Sequence, residues 1–577
     1  MINLNSNYKT QTRMLIFLRL YNANDTIEGL IRSMKYCFFF LSLFLNLGCQ
    51  STKKPNSPKL VVLISVDQMR GDYLPTFESQ MEAGLAEFYS KGLVYTNAHH
   101  KHAMTTTAAG HATIATGFYP SHNGIVNNTV YNRAAGYSHY SIIDSTVSFV
   151  GIENCELNKV SAKNLLKPSI GDILKKENKN SKSYSVALKD RASILMGGHD
   201  ANRAFWFDAK STQMVSTDYY SETFPTWVSD YKAKDVLNQS LVNGWQTEEK
   251  FEAISNTSND SFSREKGAFA PWFPHTVESL DTNRVSQNLL GNYIWVTPFG
   301  DEYVLDFAYQ LITQQKLGED TDCDVLTVGL SAADLIGHHF GPNSHEILDY
   351  YNKLDFYLDD FMNKVKEQVG KNNVLFVLTS DHGVAPFPEV VSAEGEDAKR
   401  IEAEQFDADI AKIDSTLMTV FLIESSTILK ANYAGVEPHF EHLYANRIDS
   451  VEYVNALSKE LKKLNYIREV ISVFDILDTT SVKPFIELYR NSYKKEYGFF
   501  IKILGKKNYL VDMRSCGTTH GSPYDYDTHV PVIFYGSGIN ARRVDDQINT
   551  VDIAPTIISI LSHYDTSLFD GTVLSVY

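Results

Sequence analysis

Three runs of β-branched residues and leucine, each followed within a few positions by an acidic residue, constrain this chain more than any other feature. They are LVVLISV before Asp67, CDVLTVGL before Asp334, and NVLFVLTS before Asp381 and His382. Strands this uniformly apolar are covered on both faces, the pattern of a parallel sheet between layers of helices. Parallel neighbours need long crossovers, and the amphipathic stretch EILDYYNKLDFYLDDFMNKVKEQV supplies a helix between the second and third runs. In an open α/β sheet the functional crevice lies beyond the carboxyl ends of the strands. Asp67, Asp334 with His338, and Asp381 with His382 would converge there despite their separation along the chain. Two loops extend the set: MTTTAAGH with Thr107, and TTHGSPYDYDTH with His520 and His529. Aspartate and imidazole, giving three or four donors per ion, suit two zinc ions.

The remaining segments group around those strands. One block, 59–190, holds LVVLISV and SYSVAL; a second, 302–383, holds the other two runs. VPVIFYG at 530–536 reads as a last strand and VDIAPTIISILSH as a helix. All five tryptophans fall within 206–295, where periodicity is weak and turn residues are many, so about 200–300 reads as an inserted cap. A second insertion, about 385–510, is rich in Lys, Glu and Tyr, and the whole of 59–577 is expected to be one catalytic domain. The net charge of −16 argues against binding a nucleic-acid polymer, whose partners present basic surfaces. A small phosphorylated substrate is compatible with it, because local cations govern a pocket.

At the amino terminus, KYCFFFLSLFLNLG is one positive charge followed by a mostly apolar run. It is shorter than the ~20 residues that span a bilayer and fits the core of a secretion signal starting at Met34, with 1–33 an over-extended start. Gly48-Cys49 and the polar tether 50–58 leave two readings for 34–49. One is a lipoprotein signal with Cys49 as lipid anchor; the other is an ordinary secretory signal. Both imply export, to the periplasm or to an outer-membrane anchor. Cys155, Cys323 and Cys516 form no Cys-x-x-Cys, so a thiolate zinc site is not supported, and one disulfide among them stays open.

Each candidate residue has a plainer role when taken alone. Asp67 could simply cap a helix. Asp334 and His338 share one helical face at i, i+4, a spacing also common for surface pairs. Asp381-His382 is more telling, since adjacent ionisable groups at the end of an apolar strand are costly to bury without a partner such as a cation. Thr107 reads as a helix N-cap, but a hydroxyl there also sits where the free amides favour an anion. It needs a base or metal to become a nucleophile, and no Ser-His-Asp arrangement supplies one. Lys189 and Arg191, taken as the end of a strand YSVALKDR, would point to one side, as a solvated edge or as a clamp on phosphate oxygens. Asn128 could add a neutral donor. Of His520 and His529, one reads as a ligand and the other as a pocket or structural histidine.

Together these motifs resemble the alkaline phosphatase superfamily, and within it the exported bacterial phosphatases of the PafA type. VDQMRGDYL, TTTAAGHATIATGFYPSHNGIVNN, ALKDRASILMGGHDANRAFWFD, TPFGDEYVLDFA, DLIGHHFGP, TSDHG and TTHGSPYDYDTHVPVIFYG carry the resemblance from residue 60 onward. It implies a three-layer α/β/α sandwich with a mainly parallel sheet and inserted caps. It also implies two zinc ions, one on Asp334, His338 and His520, the other on Asp67, Asp381, His382 and the Thr107 oxygen. Thr107 would be the nucleophile, passing through a phosphothreonine, with Asn128, Lys189 and Arg191 binding phosphate. The Lys-x-Arg pair favours small phosphate monoesters over the diesters taken by related nucleotide pyrophosphatase/phosphodiesterases. A diesterase and a non-catalytic ligand-binding lipoprotein are the competing readings. The Cys/Ser-x-Pro-x-Arg signature of sulfatases is absent.

Overall fold

The computed structural model describes residues 57–577 apart from 153–154, 248–261, 266, 268, 281–287, 514 and 563. The signal segment, Cys49 and most of the tether lie outside the described residues. Among the described residues the central sheet has eleven strands. Those that position the site are β1 (Leu60–Val66), β2 (Leu93–His99), β3 (Ser183–Ala187), β4 (Arg203–Asp208), β5 (Gln213–Thr217), β6 (Asp324–Leu330), β7 (Val374–Thr379) and β12 (His529–Gly536). Their order across the sheet is β2-β12-β7-β1-β6-β3-β4-β5.

β7, β1, β6, β3 and β4 run parallel, which long apolar strands with helical crossovers require. All seven residues of β1 are buried, and they divide with period two. Leu60, Val62, Ile64 and Val66 pack into one core with α3 (Phe299–Gln315) and α5 (His345–Val365), through Phe307 and Leu354 among others. Val61 and Leu63 pack on the opposite face, against Ile553 and Ile557 of α8 (Ile553–Leu561) and Ile114 of α1 (Thr107–Thr116). Two apolar cores flanking one sheet make the α/β/α sandwich. Each of these aliphatic side chains contributes ~1.5–3 kcal/mol by burial.

The sheet is mainly parallel, as expected, with a departure at its last strand, and two other expectations need correction. The last strand, β12, is antiparallel to both β7 and β2, so the sheet is mixed on that side. The stretch from about 200 begins as sheet: β4 and β5 extend the central layer, and Trp206 lies inside β4. Farther along, Trp245 is buried on α5, its indole nitrogen donating to Asp349 Oδ2 at 2.7 Å. Tryptophan clustering therefore marks a covering of the α3–α5 layer as well as a sheet edge. YSVALKDR, finally, is not strand throughout. β3 stops at Ala187, Lys189 caps α2 (Asp190–Gly197), and Arg191 is in its first turn, so period two does not apply to the pair.

The second insertion has its own architecture. α6 (Ala403–Phe421) and α7 (Ser450–Leu461) accompany β8 (Ile428–Asn432), β9 (Gly435–Pro438), β10 (Ile467–Ser472) and β11 (Ile501–Gly505). These strands pair antiparallel in the order β8-β9-β11-β10, and Leu417, Tyr453, Leu457 and Val470 belong to a separate core beneath them.

Candidate active site at the strand ends

Register explains the convergence. β1 pairs Val66 with Leu330 of β6 and Ser65 with Thr379 of β7. Asp67 and Asp381 therefore leave the same edge, and α4 (Ala332–Phe340) starts there with Asp334 in its first turn. β12 runs the other way, so the loop that precedes it, carrying His520, reaches this edge too.

Two groups of donors result, each with its three ligand atoms within 4.8 Å of one another: Asp334, His338 and His520, and Asp67, Asp381 and His382. In the first, Asp334 Oδ1 lies 3.2 Å from His338 Nε2 and 3.5 Å from His520 Nε2. In the second, His382 Nε2 lies 3.4 Å from Asp67 Oδ1 and 3.3 Å from Asp381 Oδ2. Backbone carbonyls orient all three imidazoles. His338 Nδ1 bonds Thr518 O at 2.8 Å, His520 Nδ1 bonds Thr105 O at 2.7 Å, and His382 Nδ1 bonds Gly383 O at 2.9 Å. With the proton assigned to Nδ1 by that network, each Nε2 presents a lone pair to its group. Asp67 Oδ1, Asp381 Oδ2 and His382 Nε2 are fully buried and have no hydrogen-bond partner. Converging buried acceptors without donors are unfavourable unless a cation sits among them. The donor sets, two oxygens with one nitrogen and one oxygen with two nitrogens, fit a divalent metal of zinc type.

Electrostatics separate the members. Burial and the nearby Asp381 push the Asp67 carboxyl well up. Burial also opposes charge on Asp381, but His382 and His111 outweigh it and hold that carboxyl far below the usual range. Asp334 is likewise held low against its burial by His338 and Lys189. Burial lowers both His382 and His520, which keeps their imidazoles neutral and able to donate electron pairs.

Lys189 is the cation between the groups. Its Nζ lies 2.5 Å from Asp67 Oδ2 and 2.5 Å from Asp334 Oδ2, in a fully enclosed position. Burial disfavours its charge, yet Asp334 and Asp67 outweigh that and raise its pKa. Arg191 points the other way, placing Nη2 3.4 Å from Thr107 Oγ1. Thr106, not Thr107, is the N-cap of α1; Thr107 opens the helix itself, fully buried. Asn128 Oδ1 accepts from Ala108 N at 2.8 Å, holding the start of α1 and leaving the amide nitrogen as a donor. The structure thus gathers ten sequence-selected residues at one edge: Asp67, Thr107, Asn128, Lys189, Arg191, Asp334, His338, Asp381, His382 and His520. His529 is elsewhere, donating Nε2–H to Thr96 O at 2.8 Å and stacked on His99. Cys155, Cys323 and Cys516 are free thiols outside both groups.

Two contributors escaped the sequence reading. Gln68, at a left-handed φ of 69°, donates its backbone N–H to Asp381 Oδ1 at 3.1 Å and its amide to Asp334 Oδ1 at 2.7 Å. It therefore ties one donor group to the other. Gly337 makes room for it, since a Cβ there would lie 1.8 Å from Gln68 Oε1. His111, one turn after Thr107, bonds the Thr107 carbonyl at 2.8 Å and faces Asp381 Oδ2 at 3.3 Å. Between them Gly110 brings α1 against the Asp381 backbone, where a Cβ would stand 2.1 Å from the carbonyl oxygen.

A family described as type I phosphodiesterase / nucleotide pyrophosphatase matches residues 61–466. The chain belongs to this family. Within it, the chain is of the PafA type. It is 34% identical to alkaline phosphatase PafA of Elizabethkingia meningoseptica, over 89% of this chain and 93% of that one. It is 30% identical to alkaline phosphatase PhoV of Synechococcus elongatus, over 90% and 92%. A Myroides odoratus relative named as a calcium-transporting ATPase is 33% identical over 91% and 94%. The crystal structure of wild-type PafA superposes with a TM-score of 0.79 at 32% identity, covering 87% of this chain and 96% of that one.

Proposed function

We propose that this protein is an exported alkaline phosphatase that hydrolyses small phosphate monoesters, with Thr107 as nucleophile and two zinc ions as resident metals. The observation that carries this reading is the pair of buried donor groups beside a threonine that opens a helix facing Arg191. Asp334, His338 and His520 would hold one ion; Asp67, Asp381, His382 and the Thr107 oxygen would hold the other. Bound there, zinc supplies Lewis-acid charge for the entering and leaving oxygens.

The chain's own groups supply the rest. The amino end of α1 and the Arg191 fork favour an anion at Thr107, and the free Asn128 amide adds a donor. Thr107 Oγ forms the bond to phosphorus as the ester oxygen departs, giving a phosphothreonine. Water then attacks phosphorus, releasing phosphate and restoring the hydroxyl. The Arg191 fork at Thr107, with Lys189 once a metal takes over the charge of Asp67 and Asp334, would match the extra negative charge of a monoester better than a diester. The signal-like segment 34–49 supports export, with Cys49 as anchor or a simple cleavage nearby.

The discriminating experiment compares aryl phosphate monoesters with diesters on the zinc-loaded protein, with metal content measured after dialysis. Monoester preference with two ions per chain is the expected result. A diester preference overturns the substrate assignment, and a metal-free chain without turnover points to a binding protein.

A further inference from the structure

Between the central body and the second insertion lies a cavity of about 130 Å³. Met104 and Asn127, close neighbours in sequence of Thr107 and Asn128, line it from the central body. A smaller space of about 90 Å³ adjoins it on the side of His520. Met104, Tyr433, Tyr489 and Lys502 line both spaces, and the smaller one reaches His520, so the pair extends from a candidate ligand towards the insertion. Aromatic rings form part of the larger cavity's wall, where Tyr131 and Phe499 stack at 5.6 Å. An apolar cavity of ~150 Å³ holds a benzene ring, so a phenyl group is of the right size.

Lys502 makes this cavity selective. It lies on β11, and its side chain is half-buried. Among the described residues its ammonium has no hydrogen bond or ion pair. The neighbouring charges are committed elsewhere. Arg133 donates to the carbonyls of Lys494, Lys495 and Gly498. Glu437 Oε2 accepts from Phe500 N at 2.7 Å, and Lys430 Nζ bonds Ser138 Oγ at 3.0 Å. Burial and Arg133 bring Lys502 down to about 8, with Glu437 opposing only in part. A half-buried cation without a hydrogen bond or ion pair, only partly offset by Glu437, at the wall of a cavity with aromatic members, is a receptor for an anion attached to a ring.

We infer that this cavity receives the alcohol portion of the substrate, and that Lys502 selects aryl phosphates whose ring carries a second anionic group such as a carboxylate. This rests on the monoesterase reading of Thr107, which it deepens by naming the substrate class. The phosphorus chemistry is unchanged; Lys502 contacts only the part of the ester that leaves.

The test uses the full zinc-loaded chain and two esters of matched shape, para-carboxyphenyl phosphate and its neutral para-carbamoylphenyl counterpart. The ratio of their kcat/KM values is measured for the native protein, Lys502→Met and Lys502→Arg. The native ratio should favour the carboxylate, Lys502→Met should lower it by about tenfold, as fits loss of a charge-assisted hydrogen bond, and Lys502→Arg should restore most of it. Competitive inhibition by the two corresponding arylphosphonates should give the same ratios without turnover. Equal ratios in the native and Met proteins overturn the inference. If neither ester is turned over, the monoesterase reading fails while the phosphonate ratios still decide the role of Lys502.

Discussion

In the central sheet, every residue of β1 is buried and the candidate ligands stand just beyond strand ends. In the second insertion, β8 has exposed residues at its middle, and Lys502 projects from within a strand. The first region holds its functional groups with a network. Gln68, three backbone carbonyls and Lys189 fix the donors before any ligand arrives. The second offers one cation against an aromatic wall. A rigid edge suits chemistry that is the same for every ester, whereas a separately built satellite can vary with the alcohol being released.

Four measurements can break or sharpen this contrast. Thr107→Ala should lower monoester kcat by roughly 10³-fold or more, because a nucleophile has no local substitute. Steady-state rates with a thermal melt would show whether threonine is needed beyond folding; an undiminished rate removes it from the reaction. His520→Ala should remove one zinc equivalent and cut activity by about 10²-fold, on the scale of losing a metal ligand or its support. His529→Ala should leave zinc stoichiometry intact, and metal analysis of the two variants reads the difference directly.

Gln68→Met should weaken metal affinity by about 10–100-fold, the usual cost of losing a group that orients ligands. Chelator titration against zinc content measures it, and an affinity equal to native would mean the donor groups hold themselves in place. The smallest effect concerns pH. Burial raises Glu437 of the insertion from 4.5 to about 7. Its folded form therefore binds a proton that the unfolded chain has lost, so stability falls as pH rises from about 4.5 to 7 and then levels off. Glu87 of the central body goes the other way. Burial opposes its charge, but Lys366, Tyr535 and Lys91 win and bring it to about 2. Its contribution is present above 4.5 and is lost as pH falls towards 2. Hydrogen exchange in β9 and β12 across pH 5 to 8 should show the trend in the insertion alone, and Glu437→Gln should flatten it.

What the sequence disclosed follows the same division. Apolar strands buried on two faces announce themselves, so β1, β6 and β7 and the residues after them were legible, including the convergence of Asp67, Asp334, Asp381 and His382. The reversed direction of β12 was not, since strand composition does not encode orientation. Period two would put Lys189 and Arg191 on one side of a strand, whereas a helix begins at Asp190, with Lys189 turned to Asp67 and Asp334 and Arg191 to Thr107. Gln68 carries no signal in the sequence, since an amide beside an aspartate looks like turn chemistry. Only its left-handed backbone and the bare Gly337 opposite reveal its reach. The insertion's antiparallel strands are only four to six residues long, too short for a period that separates them from loop.

Gly110 has a consequence for the way such a site can change over time. Because α1 lies flush on the Asp381 carbonyl, the spacing from the Thr107 hydroxyl to its neighbouring aspartate is set by two backbones touching. No rotamer can relax that spacing and no methyl group can be slipped in. Variation in this lineage should therefore accumulate around the mouth of the cleft and leave the junction of helix and strand alone, like a gauge block machined once and never adjusted.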